Sequence, residues 1–259
     1  MELKKNIIGI IPAHMNSIRF PNKVLCSIHG LPMIEHVRRR ALLSKYLKKV
    51  IVATCDQKIA DVINGYGGEV IMTSAKHTNG TSRVAEAVKK IYCSHVILLQ
   101  GDEPLLLPSS IDLLIKEIIA KPEEFMWNAT GPINNEQEME KHSFVKCAIS
   151  INNKILYLFR KSPSCASFEV QRKYIRKILG LIAFKKDFLI KFIDAPTSYI
   201  EENEFIEQMK AIENGFQINS INLTESVPSV NEPNELDIVL KYLDNNEEQN
   251  ILLNRIKNM

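Results

Sequence analysis

The stretch "IIPAHMNSIRFPNKVL", residues 10–25, joins the end of an apolar run to a loop that carries Ser17, Arg19 and Lys23. The apolar run, residues 6–12, predicts a buried strand. In open α/β sheets, ligands bind beyond the carboxyl ends of the strands. Two cations and a hydroxyl at such a place, together with exposed backbone N–H groups, are typical of an anion-binding loop.

Two prolines, Pro12 and Pro21, restrict the backbone of this loop. This restriction lowers the entropic cost of ordering the loop around a ligand. The alternative is a solvated loop whose charges bind nothing. The loop lacks the Gly-x4-Gly-Lys-Ser/Thr pattern of a P-loop and the glycine fingerprint of a dinucleotide-binding fold, so both of those phosphate sites are excluded here.

Short apolar runs alternate with longer amphipathic ones as far as residue 120. The predicted strands are residues 6–12, 50–54, 69–72 and 96–99, and the predicted helices are residues 32–47, 57–66, 81–92 and 109–120. This alternation, with short connections, predicts an α/β fold in which helices cover both faces of a mostly parallel sheet.

The pattern changes near residue 125 and predicts a smaller strand-rich lobe over about residues 125–186. Strands at 145–151 and 155–159 flank Asn152-Asn153, a hairpin signal, and a further strand is predicted at 175–184. Helices are predicted at 187–193, 201–213 and 232–243, with a strand at 216–221. We expect one domain over residues 1–259, with residues 245–259 as a polar, frayed tail.

Composition excludes several classes of protein. Of 259 residues, 45% are hydrophobic and 24% are charged, and the net charge is only +3, without the basic face of a nucleic-acid binder. The one basic cluster, Arg38-Arg39-Arg40, lies in a predicted helix, and we interpret it as a solvated or partner-facing stripe. The five scattered cysteines are typical of reduced thiols in the cytoplasm, and no apolar stretch approaches the length of a membrane span.

A second signal is "LLQGDEP", residues 98–104, in which a carboxylate pair follows a predicted strand through Gly101. Asp102 in this position suits Mg²⁺, which proteins often hold with one or two carboxylates plus the phosphates of a substrate. The alternative is an ordinary surface turn. Since a cationic loop follows a neighbouring strand, the two loops together favour a metal-phosphate site and nucleoside triphosphate chemistry.

A third signal is "TNGTSR", residues 78–83, where a glycine loop leads into a predicted helix. Thr81 could cap that helix, and the free N–H groups of a helix N-terminus can bind an anion. A plain helix cap is an equally good interpretation.

Taken together, these segments resemble the CMP-Kdo synthetase (3-deoxy-manno-octulosonate cytidylyltransferase) family over about residues 7–243. The matching segments are "IPA…S.R.P.K.L" at 11–25, "PMIEHV" at 32–37, "VIVAT" at 50–54, "GGEVIMT" at 67–73, "H..GT.R.AE" at 77–86, "QGDEP" at 100–104, "VK" at 145–146, "IEQ" at 206–208 and a divergent "VNEPNEL" at 230–236. The combination of "QGDEP" with "H..GT.R" is the most specific part of the resemblance.

The resemblance implies a nucleotidyltransferase fold, usually a homodimer, that transfers CMP from CTP to an acidic sugar and releases pyrophosphate, for surface polysaccharide synthesis. On this basis the residues expected to carry catalysis are Arg19, Lys23 and Asp102. The nucleotide would lie against Pro12, Ala13, Ser17, Arg19, Lys23, Thr81 and Gln100, and the acceptor sugar against Arg160, Glu207 and Gln208. Mg²⁺ is the implied cofactor, with Asp102 and Asn231 as its ligands.

The chain departs from the family pattern at places that bear on the acceptor and the metal. His14 stands where the family usually has arginine, and Asn231 stands where it has the aspartate that shares the metal. Two interpretations follow. The enzyme is active on Kdo or a different acid, such as an amino-Kdo, a nonulosonic acid or a phosphonate, with Glu232 supplying the lost carboxylate; or the chain is a catalytically impaired nucleotide-binding protein.

Overall fold

A computed structural model describes residues 6–17 and 19–259. The strands, numbered in chain order, are β1 Ile7–Ala13, β2 Ser27–Ile28, β3 Leu31–Pro32, β4 Val50–Thr54, β5 Glu69–Met72, β6 His95–Leu99, β7 Met126–Gly131, β8 Lys146–Ile149, β9 Lys154–Phe159, β10 Ile175–Lys185 and β11 Ile218–Asn222. The helices are α1 Met33–Leu42, α2 Gln57–Gly65, α3 Gly80–Lys89, α4 Pro108–Ala120, α5 Glu136–Glu140, α6 Phe168–Gln171, α7 Lys186–Asp194, α8 Tyr199–Glu204, α9 Gln208–Glu213, α10 Glu235–Asn245 and α11 Glu247–Lys257.

The chain divides into two compact units. Unit 1 comprises the residues up to 115 together with residues 227–259, and unit 2 comprises residues 116–226. Unit 2 is therefore larger than the lobe predicted at residues 125–186, since it also takes in α7, α8, α9 and β11.

Unit 1 contains a parallel sheet in the order β5-β4-β1-β6. Strand β1 lies between its two partners, with Ile10 opposite Ile51 on β4 and Leu98 on β6. Because parallel crossovers are right-handed, α1 and α2 cover one face and α3 covers the other, as predicted. The strand order reverses between β1 and β6, which is the place where doubly wound sheets bind ligands.

Unit 2 contains five paired strands, of which β7 and β11 are parallel and the other pairs are antiparallel. The pairings run β10-β7-β11-β9-β8, and β8 pairs again with β10. The predicted hairpin is present as β8 and β9, and Asn153 in its turn has a φ of 56°. Strand β7 was not predicted; its residues are all buried, Trp127 completely.

The single helix predicted at 201–213 is two helices, α8 and α9. Phe205 ends α8 with a φ of 53°, in the left-handed region that a bulky side chain rarely adopts. Helix α1 ends at Leu42, short of the predicted residue 47, because the Ser44 hydroxyl donates to Asp112 Oδ1 at 2.6 Å and accepts from the backbone N–H of Leu47.

The prediction of a frayed tail is wrong. Residues 247–257 form α11, which begins where the Asn246 side chain accepts a hydrogen bond from the backbone N–H of Gln249. Leu253 and Ile256 of this helix are buried in one apolar cluster with Met33 of α1. Three inward-facing apolar residues at helical spacing stabilise the segment although its composition is polar.

The prediction of a solvated arginine stripe is also wrong. Glu35 is completely buried and accepts from Arg38 Nε at 2.6 Å and Arg39 Nε at 2.9 Å. Arg39 also donates to the carbonyl of Ile256 at 2.7 Å, which ties α1 to the end of α11. Arg40 is completely buried, and burial lowers its pKa to about 10. The cluster is therefore part of the interior of unit 1.

Candidate active site

A cavity of about 520 Å³ opens at the carboxyl ends of β1 and β6 in unit 1, and we call it the strand-end cavity. Its walls come from the loop after β1, the segment before α3 and the loop after β6. The lining residues are Pro12, Ala13, His14, Asn16, Ser17, Arg19, Lys23, Val24, His77, Thr78, Asn79, Gly80, Arg83, Gln100, Gly101 and Asp102. Of the residues predicted to bind the nucleotide, all but Thr81 are in this set.

The loop after β1 is held by hydrogen bonds before any ligand is present. The backbone N–H of Met15 donates to Asp56 Oδ2 at 2.9 Å, and the N–H of Asn22 donates to the Met15 carbonyl at 3.1 Å. Asn22 has a φ of 60° and precedes a short 3₁₀ turn over Lys23–Leu25. The loop therefore presents its cations on a backbone that is already ordered.

The structure brings Lys23 and Asp102 into direct contact in this cavity. Lys23 Nζ lies 2.5 Å from Asp102 Oδ2 and 3.2 Å from the carbonyl of Val230. The backbone N–H of Val230 in turn donates to the Asp102 carbonyl at 2.9 Å. The two side chains are 12% and 22% exposed, so their charges are only partly screened by water.

Asn231 reaches the cation on the other side of the loop. Arg19 Nη2 lies 3.5 Å from Asn231 Oδ1, and the backbone N–H groups of Asn231 and Glu232 both donate to Glu235 Oε2, at 2.7 and 3.2 Å. Glu232 is exposed at the surface of this segment. Glu235 was not predicted, although its spacing of three residues after Glu232 is typical of a carboxylate at a helix N-terminus.

His14 adds a titratable group to the same wall. Although the ring is partly exposed, loss of hydration on its remaining surface lowers its pKa below 6.5, and the positive charge of Arg83 lowers it further. The negative charge of Asp56 opposes this shift in pKa. His14 is therefore mostly neutral at pH 7 in this structure.

The segment before α3 forms the opposite wall, and here the prediction for Thr81 needs correction. The helix begins at Gly80, and the side chain of Asn79 caps it by accepting from the backbone N–H of Ser82 at 2.8 Å. Thr81 is the second residue of the helix and is buried, 2% exposed, so it is not the cap. Gly80 is required by close packing, because a Cβ there would lie 3.0 Å from Pro12 Cγ.

His77 and Glu86 fix the same wall through a contact that the sequence did not indicate. His77 Nε2 lies 2.5 Å from Glu86 Oε2, and His77 Nδ1 lies 3.1 Å from Ser82 Oγ. The backbone N–H of Ser74 also donates to Glu86, and this bond, with that of His77, lowers the pKa of Glu86. The spacing of nine residues between His77 and Glu86 is the only signal of this pair in the sequence.

The predicted acceptor residues lie in unit 2. The Arg160 guanidinium donates to three backbone carbonyls, those of His142, Glu204 and Phe205, at 3.0–3.2 Å. Gln208 Nε2 donates to Asn128 Oδ1 of β7 at 3.1 Å, and Glu207 directly precedes it at the start of α9. Arg160 thus holds the corner between α8 and α9, which carries the other two predicted residues.

The donor set in the strand-end cavity fits a magnesium ion with few protein ligands. Asp102 offers a carboxylate, and Asn231 offers an amide oxygen on the adjacent segment. Within residues 6–17 and 19–259, no group of three or more His, Cys, Asp or Glu side chains is arranged to hold a metal by itself. A metal here would therefore take much of its coordination from a substrate, as Mg²⁺ commonly does from phosphates.

Residues 8–221 match the cytidylyltransferase family. The chain belongs to this family. The cytidylyltransferase sequence is 35% identical over 249 residues to the 3-deoxy-manno-octulosonate cytidylyltransferase of Geobacter sulfurreducens, covering 92% of this chain and 99% of that relative. It is also 35% identical over 237 residues to the 8-amino-3,8-dideoxy-manno-octulosonate cytidylyltransferase of Shewanella halifaxensis, covering 90% of this chain and 96% of the relative.

A solved CMP:2-keto-3-deoxy-manno-octonic acid synthetase, in complex with CTP, has the same fold as this cytidylyltransferase. It superposes with a TM-score of 0.86 at 30% identity, over 92% of this chain and 98% of the other. The resemblance stated from the sequence and the predicted fold class are both confirmed. In the part of the cytidylyltransferase that the structure describes, no helix combines the length and apolarity needed to cross a bilayer.

Proposed function

We propose that this cytidylyltransferase transfers CMP from CTP to a 3-deoxy-octulosonic acid and releases pyrophosphate. The contact between Lys23 and Asp102 in the strand-end cavity is the observation that carries the proposal. It joins a cation and a carboxylate at the point of the sheet where a polyphosphate and its metal would need both. The names of the relatives support the choice of nucleotide and acceptor.

In this proposal, Lys23 and Arg19 bind the triphosphate, with Ser17 beside them. When the acceptor hydroxyl attacks the α-phosphorus, the bond to the bridging oxygen breaks and negative charge accumulates on the departing pyrophosphate. Fixed cations stabilise that charge more in the transition state than in the ground state, and this difference accelerates the reaction. Lys23 would exchange its present partner, Asp102, for a phosphate oxygen when CTP enters.

Mg²⁺ would be held by Asp102, with Asn231 as a weaker ligand through its amide oxygen. A bound magnesium ion supplies charge neutralisation at a phosphate and lowers the pKa of a coordinated hydroxyl. Asp102 is then freed from Lys23, while Arg19 keeps Asn231 in place through their present contact. Glu232 remains a candidate replacement for the missing carboxylate, since it is exposed on the same segment.

The acceptor is narrowed by the relatives but not reduced to one compound. Relatives named for the parent acid and for its 8-amino form have the same identity to this chain, 35%. The proposed acceptor residues are Arg160, Glu207 and Gln208, supported by their position on one corner of unit 2. We also propose a cytoplasmic homodimer, supported by the family resemblance and by five free cysteines.

A pyrophosphate-release assay tests this function. Purified protein is incubated with CTP, Mg²⁺ and either acid, and with ATP or UTP in place of CTP as the nucleotide control. We expect release only with CTP and a 3-deoxy-octulosonic acid, and the better of the two acids identifies the acceptor. Saturable CTP binding without release in the presence of any acid would instead support a nucleotide-binding protein that has lost catalysis.

A further inference from the structure

Unit 2 contains a second cavity, of about 490 Å³, that shares no residue with the strand-end cavity. Phe125 directly precedes β7, Phe216 precedes β11, and Phe188 and Phe192 project from α7. We call it the phenylalanine cavity. It lies where β7 and β11 begin, at the opposite end of these strands from the Thr130–Asn222 contact.

The rings of this cavity form one connected aromatic surface. The ring centroids of Phe125 and Phe188 are 5.6 Å apart and stacked, and those of Phe188 and Phe216 are 4.9 Å apart in an edge-to-face arrangement. Phe192 stacks on Phe188 at 5.7 Å. The two α7 rings are buried, whereas Phe125 and Phe216 are each 40% exposed. An aromatic wall thus extends from the interior to the solvent.

Cations stand at this aromatic wall and outnumber the acids that line it. Lys185 and Lys191 line the cavity, and Lys185 Nζ lies 5.5 Å from the centroid of the Phe125 ring. Lys210 Nζ lies 5.2 Å from the centroid of the Phe192 ring. Asp187 is the one carboxylate among the lining side chains of this cavity. The Lys185 backbone N–H donates to the Phe125 carbonyl at 2.8 Å, which fixes that lysine beside its ring.

We propose that the phenylalanine cavity binds a small amphipathic anion, a flat ring or short acyl chain that carries a carboxylate or sulfonate. Its volume is within the range of small-molecule sites, which are mostly apolar with a few charged groups that set orientation. The apolar part of the ligand covers the two exposed rings, and its anionic group lies between the ammonium groups of Lys185 and Lys191. Charge complementarity therefore selects an anion over a neutral molecule of the same shape.

Two fluorescent probes that share one ring system test the selection for charge. The first is 8-anilinonaphthalene-1-sulfonate, and the second is N-phenyl-1-naphthylamine, which lacks the sulfonate. Both are titrated into the folded protein in the presence of saturating CTP, so that the strand-end cavity is not available. We expect the sulfonate to bind about tenfold more tightly than the neutral amine.

Matched variants locate the site. Changing Lys185→Gln and Lys191→Gln together is expected to weaken sulfonate binding about tenfold and leave amine binding within twofold. The double variant Lys58→Gln with Lys89→Gln removes the same charge from exposed positions of unit 1 and should change neither. Ala195→Phe, which adds a ring inside the cavity, should abolish saturable binding of both probes.

Each alternative outcome overturns the proposal. Equal affinity for the two probes, or no effect of the Lys185 and Lys191 changes, would refute selection for an anion. Unchanged binding to the Ala195→Phe variant, with its circular dichroism spectrum and melting temperature preserved, would place the probe elsewhere. Loss of a dimer in light scattering upon Phe216→Ser, without any probe binding to the wild type, would assign the aromatic wall to a second copy of the chain.

Discussion

Two basic clusters in unit 1 have similar composition and opposite surroundings. Arg19 and Lys23 follow β1 and line the strand-end cavity, where Lys23 meets a single carboxylate. Arg38 and Arg39 lie on α1, where the buried Glu35 and backbone carbonyls satisfy them. The first cluster retains the capacity to bind an anionic substrate, and the second is saturated by the protein. Position relative to a strand end, rather than the number of cations, separates a binding site from a structural one.

The largest effect is expected at the carboxylate of the first cluster. Asp102→Ala should reduce the rate of pyrophosphate release roughly a thousandfold, because the cavity loses the metal ligand while Lys23 and Arg19 remain. CTP should still bind, measured by calorimetry, with a weaker dependence on Mg²⁺. Full activity in this variant would remove Asp102 from the site and end the contrast between the clusters.

The second cluster should respond in stability and not in turnover. Glu35→Gln leaves two buried guanidinium groups without their counter-charge, and we expect the free energy of unfolding to fall by about 3–4 kcal/mol. Urea unfolding measures this loss, and kcat of the remaining folded protein should be unchanged. The control is Glu117→Gln, which breaks an exposed pair with Lys121 and should change stability by less than about 0.5 kcal/mol. A kcat effect of Glu35→Gln without a stability effect would reverse the comparison.

Acid should weaken the α1 region through His36. Burial lowers the pKa of His36 to about 4 in the folded protein, although its ring nitrogen Nε2 contacts the Ile28 carbonyl at 2.8 Å. The folded state therefore favours the neutral ring, and stability is lost as the pH falls from about 6.5 towards 4. The loss from this group is at most about 3 kcal/mol. His36→Gln should reduce the pH slope of the free energy of unfolding over this interval; an unchanged slope would show that His36 titrates normally.

The metal part of the cavity is tested by restoring the absent carboxylate. Asn231→Asp should increase the apparent affinity for Mg²⁺ in the pyrophosphate-release assay about tenfold, because a carboxylate replaces a neutral amide oxygen. Glu232→Gln is the matched variant, since it removes the competing carboxylate on the same segment. A Mg²⁺ titration that is unchanged in Asn231→Asp and shifted in Glu232→Gln would assign the ligand role to Glu232.

A smaller effect is expected at His14. Its lowered pKa makes it mostly neutral at pH 7, whereas a triphosphate beside it would favour the charged form. CTP binding should therefore tighten a few-fold as the pH falls from 7.5 to 6, apart from the background of CTP itself, which His14→Gln measures. His14→Arg should bind CTP a few-fold more tightly at pH 7.5 and lose this dependence on pH. Equal pH profiles for wild type and His14→Gln would contradict the placement of His14 beside the phosphates.

The sequence predicted the parts of the fold that rest on local patterns. Strands β4 and β5 agree with their predicted bounds, because short apolar runs there are bounded by polar residues and glycine. Gly67, with a φ of 69°, ends α2 as expected. Strand β7 was missed because its Asn128 and Thr130 interrupt the apolar run, and both are buried by hydrogen bonds to distant residues.

The same distinction holds for the site. Parallel strands place their carboxyl ends together, so the approach of Lys23 and Asp102 follows from the strand order alone. The Asn79 cap and the pairing of His77 with Glu86 depend on the path of one loop, which no periodicity encodes. The burial of Arg38 and Arg39 depends on α11, a helix whose polar composition concealed its inward-facing residues.

A crystal structure of the protein with CTP tests the central claim most directly. The account predicts triphosphate oxygens within hydrogen-bond distance of Lys23 Nζ and the Arg19 guanidinium, with the Asp102 carboxylate facing the same polyphosphate. A CTP molecule bound outside the strand-end cavity, or one whose phosphates point away from both Lys23 and Asp102, would contradict it.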